Sequence, residues 1–334
     1  MFSACLINDP SSDPGVYVKF KYRNEAVLFD IGEIYRLQPR QILRIGYIFI
    51  SHTHMDHFIG FDHLLRICLG RDMHISLFGP PGFRKNVEGK LAAYTWNLVR
   101  GYPNDFLLRV TEVSETQMMT THYSCRGGFK PEAAAGVGFN GTLIDNGNFT
   151  VKAVFLDHKI PVLAFALQEK KHVNIMKNVL ESMNLSRGDW LMNLKDAVRR
   201  CDPNDTPVNV RYCGGEEKTV PLCELRKIVR VTRGQKISYI ADTIYNSDNA
   251  QKIITLAKDS DMIFIEAPFL EEDLETATEK YHLTARQAGH LAGMAGAEHI
   301  RIFHISPKYK GNEHLLESEA MEAFRSSLSG TPPV

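Results

Sequence analysis

No apolar stretch in the chain reaches the ~18 residues that a membrane-crossing helix needs, so the sequence offers no membrane anchor. The opening segment MFSACLINDPSSDPG lacks a basic start followed by an apolar core, so no export signal is read and a soluble, cytoplasmic protein is expected. The six cysteines (Cys5, Cys68, Cys125, Cys201, Cys213, Cys223) form no CxxC pair and no dense framework, which fits a reduced compartment better than a disulfide scaffold. Net charge is missing too. Lys plus Arg equals Asp plus Glu at 39 each, so no global positive field pulls the chain onto nucleic acid, and any polyanion site must be local. What is present is 334 residues, 44% of them hydrophobic, enough for a large core in one domain or two.

Alternation of apolar and polar residues marks a strand over 16–20, and after Tyr22-Arg23-Asn24-Glu25 a second runs from Ala26 to Ile31. Tyr47-Ile48-Phe49-Ile50 is a fully apolar third strand, and beyond it Phe58, Phe61, Leu64, Leu65 and Cys68 fall at helical spacing, with Gly70 as the stop. Further strands are expected at 75–77, 149–156, 162–167, 237–241, 262–266 and 300–303, and helices at 83–100, 174–185, 247–257, 285–296 and 315–327. Strands that cluster early and then alternate with helices fit a layered sheet-and-helix sandwich better than a doubly wound parallel sheet. Two stretches show no period: the Gly-rich run Cys125 to Gly147, read as loop, and the polar run Arg199 to Arg233, read as part of an insertion.

The chemistry concentrates at the end of the third strand, in Ser51-His52-Thr53-His54-Met55-Asp56-His57. His52 and His54 lie two apart on extended chain and so point to one side, while Asp56 and His57 follow at the turn into a helix. Imidazoles with a carboxylate suit zinc, and manganese or iron are also accommodated. A two-metal site needs more donors, and His158, Asp242 and His304 each stand just past an apolar run. A lone histidine is usually an ordinary surface or core residue, which is the reading given to His63, His74, His122, His172, His290, His299 and His314.

The pattern resembles the metallo-β-lactamase superfamily and, within it, the ribonuclease Z (tRNase Z) branch. His52 to His57 is similar to the HxHxDH motif, Leu156-Asp157-His158-Lys159-Ile160-Pro161 to the LDHxxP segment, Ile240-Ala241-Asp242-Thr243 to the GDT segment, and His304-Ile305-Ser306-Pro307-Lys308-Tyr309 to the final HxSxxY. The resemblance implies an αββα four-layer sandwich, a single domain over 1–334 with an arm at about 169–233, two divalent metal ions and a homodimer. It implies one metal on His52, His54 and His158, the other on Asp56, His57 and His304, and Asp242 bridging. Two ions so held can share a hydroxide and clamp a phosphoryl oxygen. Asp56 carries a second implied role, accepting a proton from the attacking water.

Glu266-Ala267-Pro268-Phe269 and His282-Leu283-Thr284 are similar to the branch's HEATF and HST segments. The resemblance implies that His282, oriented by Glu266, assists the leaving oxygen as an alkoxide requires. Thr284 also reads as the N-cap of a capping box closed by Gln287, a purely structural role. Ser306 and Lys308 offer donors for a substrate phosphate, and a solvated basic loop is the alternative for them and for Lys159. Three segments depart from the branch's pattern: Cys5 to Pro10 replaces its glycine-threonine turn, Gly32-Glu33-Ile34-Tyr35-Arg36 replaces GEGTQ, and Gly188-Asp189 stands where the arm carries Gly-Pro. Lys195, Arg199 and Arg200 leave a basic helical face there. The leading reading is endonucleolytic RNA cleavage, with the 3′ end of precursor tRNA as its specific form. A dinuclear hydrolase of a small ester, lactone or sulfate, and a non-catalytic nucleic-acid-binding relative, are the alternatives.

Overall fold

A computed structural model of the chain describes residues 2–21, 23–132 and 134–329, without the side chains of Lys171 and His172. Tyr22, at the expected first turn, and the side chain of His172 therefore lie outside the described residues. Contacts divide the chain into two compact units: a larger one of Phe2–Leu143, Val151–Leu167 and the chain from Lys236 onward, and a smaller one of Ile144–Thr150 and Gln168–Gln235.

The larger unit is mixed α/β and holds most of two sheets. Eight strands form the first sheet in sequence order: Phe2–Leu6, Val16–Phe20, Ala26–Phe29, Ile45–Phe49, Met73–Gly79, Phe106–Val113, Gln117–Ser124 and Ala135–Gly138. Its middle pairings are parallel and its flanks antiparallel. The second sheet runs in the order Ile300–Phe303, Met262–Glu266, Lys236–Ile240, Pro161–Glu169, Phe149–Asp157 and Thr142–Asp145.

Strands buried on both faces read as continuous apolar runs, and Ala26–Phe29 shows why. Leu28 faces outward into a core with Leu64, Leu65 and Val87 of the helices Phe61–Cys68 and Phe83–Ala92. Its neighbour Phe29 points the other way and stacks on Tyr239 and Phe165 of the second sheet at 5.5 and 5.6 Å. Ile263 and Ile265 of the second sheet meet Leu291, Leu316 and Phe324 from the helices Ala285–Met294 and Glu313–Leu328. Helix, sheet, sheet and helix thus lie in four layers.

The smaller unit has its own core, in which Trp190, Leu194, Ala197 and Val198 of the helix Trp190–Arg200 pack with Val208, Leu222 and Leu225. The polar run read as periodless holds a hairpin, Pro207–Arg211 with Glu217–Pro221, and the strand Val229–Arg233. The expected basic face is partly neutralised, since Arg199 pairs with Asp196 and Arg200 with Asp202, each at 2.7 Å.

Candidate metal centre

Four strand ends and the turn after Phe149–Asp157, which carries His158, build the site. Ile45–Phe49 delivers the histidine run, Lys236–Ile240 delivers Asp242, Met262–Glu266 ends on Glu266, and Ile300–Phe303 leads to His304. His52, His54, His158 and Asp242 each place a donor atom within 4.8 Å of the others, and so do Asp56, His57 and His304. Asp242 joins the groups. Its Oδ2 lies 3.7 Å from Nε2 of both His52 and His158, and its Oδ1 lies 3.4 Å from His57 Nε2 and 3.1 Å from His304 Nδ1. A carboxylate that turns one oxygen to each histidine group has the geometry of a bridge.

The outer nitrogens of three imidazoles are held by protein partners. His57 Nδ1 donates to Asp30 Oδ2 at 2.8 Å, His158 Nδ1 donates to the Tyr281 carbonyl at 2.7 Å, and Ser51 Oγ lies 3.0 Å from His52 Nδ1. Each such bond fixes the tautomer that turns a bare Nε2 inward. His52 Nε2, His57 Nε2, Asp242 Oδ1 and His304 Nδ1 are buried with no hydrogen-bond partner among the described residues. Buried polar atoms are normally paired; four orphans converging in one place, all of metal-binding types, fit a dinuclear metal site.

The electrostatics agree. Burial, with His57 nearby, pushes His52 down to about 2 and keeps it neutral, as a ligand must be. Around His57 burial is outweighed by the Asp242 and Asp30 carboxylates, which push it up to about 10. Anions that favour a proton on a nitrogen favour any positive charge there, a metal ion included. Burial acts against ionisation of Asp56, but the His304 hydrogen bond and His57 outweigh it and bring Asp56 down to about 2.

Asp30 was not legible as a site residue. Fully buried, it accepts from Ser51 N, Ser51 Oγ, Tyr239 OH and His57 Nδ1 at 2.7 to 2.8 Å. The signal was present in Asp30-Ile31-Gly32, a carboxylate closing an apolar strand. Gly32 serves the same loop: a Cβ there would stand 2.3 Å from the Asp56 carbonyl oxygen.

Beside this cluster His282 Nδ1 bonds Glu266 Oε2 at 2.7 Å, and Glu266 Oε1 accepts from Thr243 N and Leu283 N. The dyad is therefore fixed by backbone as well as by its partner. Thr284 caps the helix Ala285–Met294 through the expected box with Gln287. One cavity is lined by Asp56, His282, His304 and Ser306 together with Asp13 and Lys280, two residues that motif reasoning passed over. Lys308 is not among its lining residues; its ammonium bonds Asp273. Lys159 Nζ bonds the Glu279 carbonyl at 3.0 Å.

No family model matches the chain. The ribonuclease Z of Nanoarchaeum equitans is 26% identical over 87% of this chain and 78% of its own length. That of Deinococcus radiodurans is 26% identical over 93% and 92%. Among solved structures, the metallo-beta-lactamase fold protein YhfI from Bacillus subtilis superposes with a TM-score of 0.55 at 13% identity, covering 96% of this chain and 92% of its own. Human tRNase Z, short form, gives 0.51 at 18%, covering 92% and 91%.

Proposed function

We propose that this chain, a metal-dependent hydrolase of the metallo-β-lactamase fold related to ribonuclease Z, cleaves phosphodiester bonds in RNA endonucleolytically, with the 3′ end of precursor tRNA as the specific substrate. The observation that carries this reading is the Glu266–His282 pair, set at 2.7 Å beside the metal donors and lining the same cavity as Asp56 and His304. Hydrolysis of an activated ester needs no such acid; expulsion of a ribose alkoxide does.

His52, His54 and His158 would hold one ion, Asp56, His57 and His304 the other, with Asp242 between them. Zinc suits this nitrogen-rich set best. When bound, the ions lower the pKa of a water and neutralise a phosphoryl oxygen. The chain's own residues do the rest. Asp30, the Tyr281 carbonyl and Ser51 hold the imidazoles in their ligating tautomers. Asp56, kept ionised, can accept the proton of the attacking water. His282, in a ring contact of 4.8 Å with His158, holds a proton for the leaving oxygen while Glu266 stabilises its charged form. Ser306 and Lys280, at the cavity wall, are the donors for substrate phosphate oxygens.

We read the smaller unit as an arm for the RNA. Residues 168–235 carry thirteen Lys and Arg against nine Asp and Glu in a chain that is neutral as a whole, which supports a local polyanion site. A second reading, hydrolysis of a small ester, lactone or sulfate, is favoured by Asp13, which adds a carboxyl to the cavity that holds Asp56. Metal-loaded protein assayed on precursor tRNA, on bis-aryl phosphate and on such esters separates the two. Cleavage of RNA, lost with metal retained in His282→Ala, is expected; turnover of esters alone would establish the second reading.

A further inference from the structure

Away from the metal donors, a cavity of about 560 Å³ is walled by Tyr35, His63, Arg66, Tyr94 and Trp96. Its size falls within the range of small-molecule sites. Exposed aromatic rings gathered in one place are unusual on a soluble surface, and Tyr35 is 69% exposed.

The chain displays Tyr35 by pinning both of its neighbours. Ile34 is fully buried, Arg36 makes a two-pronged bond to Asp9 at 2.7 and 3.1 Å, and the Glu33 carbonyl accepts from Asn8 at 2.7 Å. The ring then lies 4.2 Å from that of His63, centre to centre. Burial and the adjacent Arg66 hold His63 below its ordinary value, which favours the uncharged ring beside Tyr35. On the other wall Tyr94 and Trp96 stand edge to face at 5.9 Å, and the indole N–H is already committed to the Leu91 carbonyl at 2.8 Å, leaving the rings to pack. Asp62, also at this wall, is neutralised by Lys90 at 2.8 Å. Arg66 is exposed, with no ion pair among the described residues. The cavity thus offers aromatic faces and one uncompensated cation, complementary to a flat base carried on a phosphate.

It is also tied to the active centre. Tyr35 follows Gly32, which packs on the Asp56 carbonyl, and His63 and Arg66 lie on Phe61–Cys68, the helix after the histidine run. We infer that the Tyr35, His63, Arg66, Tyr94 and Trp96 cavity is a nucleotide-stacking subsite that holds an unpaired base of the RNA substrate. This rests on the phosphodiesterase reading for its substrate, but binding is measured without cleavage.

The experiment is fluorescence anisotropy of labelled hexaadenylate RNA titrated with the intact protein, with the oligonucleotide checked for integrity after each point. Tyr35→Ala and Arg66→Ala are each expected to weaken binding about tenfold, as loss of one stacked base does, while Tyr35→Phe retains wild-type affinity. Equal affinity in Tyr35→Ala and wild type, or no binding by wild type, overturns the inference. A change in self-association of Tyr35→Ala, read by light scattering with unchanged RNA affinity, assigns the cavity to a second copy and overturns it likewise. Failure of wild type to cut precursor tRNA would sink the activity and leave this binding measurement standing on its own.

Discussion

Asp30 takes the Nδ1 hydrogen of His57 at 2.8 Å on a carboxylate that is completely buried. The pair lies in the larger unit, where Asp30 sits at the end of Ala26–Phe29 on left-handed backbone, φ +54°. A residue held in that region is one the surroundings over-determine. Here they are Ser51, Tyr239 and His57, all bonded to the same carboxylate.

Asp30→Asn keeps the shape and removes the charge. It is expected to lower metal affinity at the Asp56–His57–His304 position by roughly 10- to 100-fold, the usual effect of losing a carboxylate behind a ligating histidine. Competition with a chelator of known affinity measures it. Wild-type affinity would detach Asp30 from the centre.

Bound metal ions would satisfy His52 Nε2, His57 Nε2, Asp242 Oδ1 and His304 Nδ1, and chelation would remove them. The melting temperature is expected to fall on chelation and to be restored by zinc, because a ligand bound only by the folded state stabilises it by mass action. In Asp242→Asn the restoration shrinks. Since ligands must be deprotonated, the zinc-dependent gain weakens as pH falls. Differential scanning fluorimetry with and without zinc reads each effect.

The Glu266–His282 pair is expected to set a pH dependence of cleavage. Burial alone would lower His282, but Glu266 outweighs it and holds the imidazole above its ordinary value. A raised value means that the protonated form is complete at low pH and lost as pH rises through it. Cleavage that needs the acid therefore falls on the alkaline side, and Glu266→Gln moves that limb to lower pH. With a nitrophenyl leaving group the limb is weak in both proteins. An unmoved limb in Glu266→Gln would remove the acid role from His282.

Gly32 and Gly60 close the loop that carries the motif. A Cβ at Gly32 would stand 2.3 Å from the Asp56 carbonyl and one at Gly60 would stand 2.2 Å from the Gly32 carbonyl. Gly32→Ala is expected to cost about 1–3 kcal/mol of stability, the usual price of overpacking. Urea denaturation gives the number, and a variant as stable as wild type would show that the loop yields freely.

The sequence was most informative where local pattern and tertiary role coincide. The helix expected at 247–257 is found as Ser247–Ala257, because an apolar face and the Asn246 cap act on the same residues. The run Cys125 to Gly147, read as loop, holds the strands Ala135–Gly138 and Thr142–Asp145, and Gln117–Ser124 is polar on one face; register with a neighbour makes them strands, not composition. The helix expected over 83–100 ends at Ala92, ahead of a short 3₁₀ turn at Val99–Gly101. At the site, the residues that the fold brings together, His52, His54, Asp56, His57, His158, Asp242 and His304, were readable in motif order. Asp30, Asp13 and Lys280 were not, because their importance comes from what the fold sets against them.

The most direct test titrates metal-stripped protein with zinc while cleavage of precursor tRNA is followed. Activity is expected to climb to a plateau at two zinc ions per chain, one on the His52–His54–His158 group and one on the Asp56–His57–His304 group, with Asp242 in contact with both. A plateau at one ion, or no cleavage at any loading, would contradict the account.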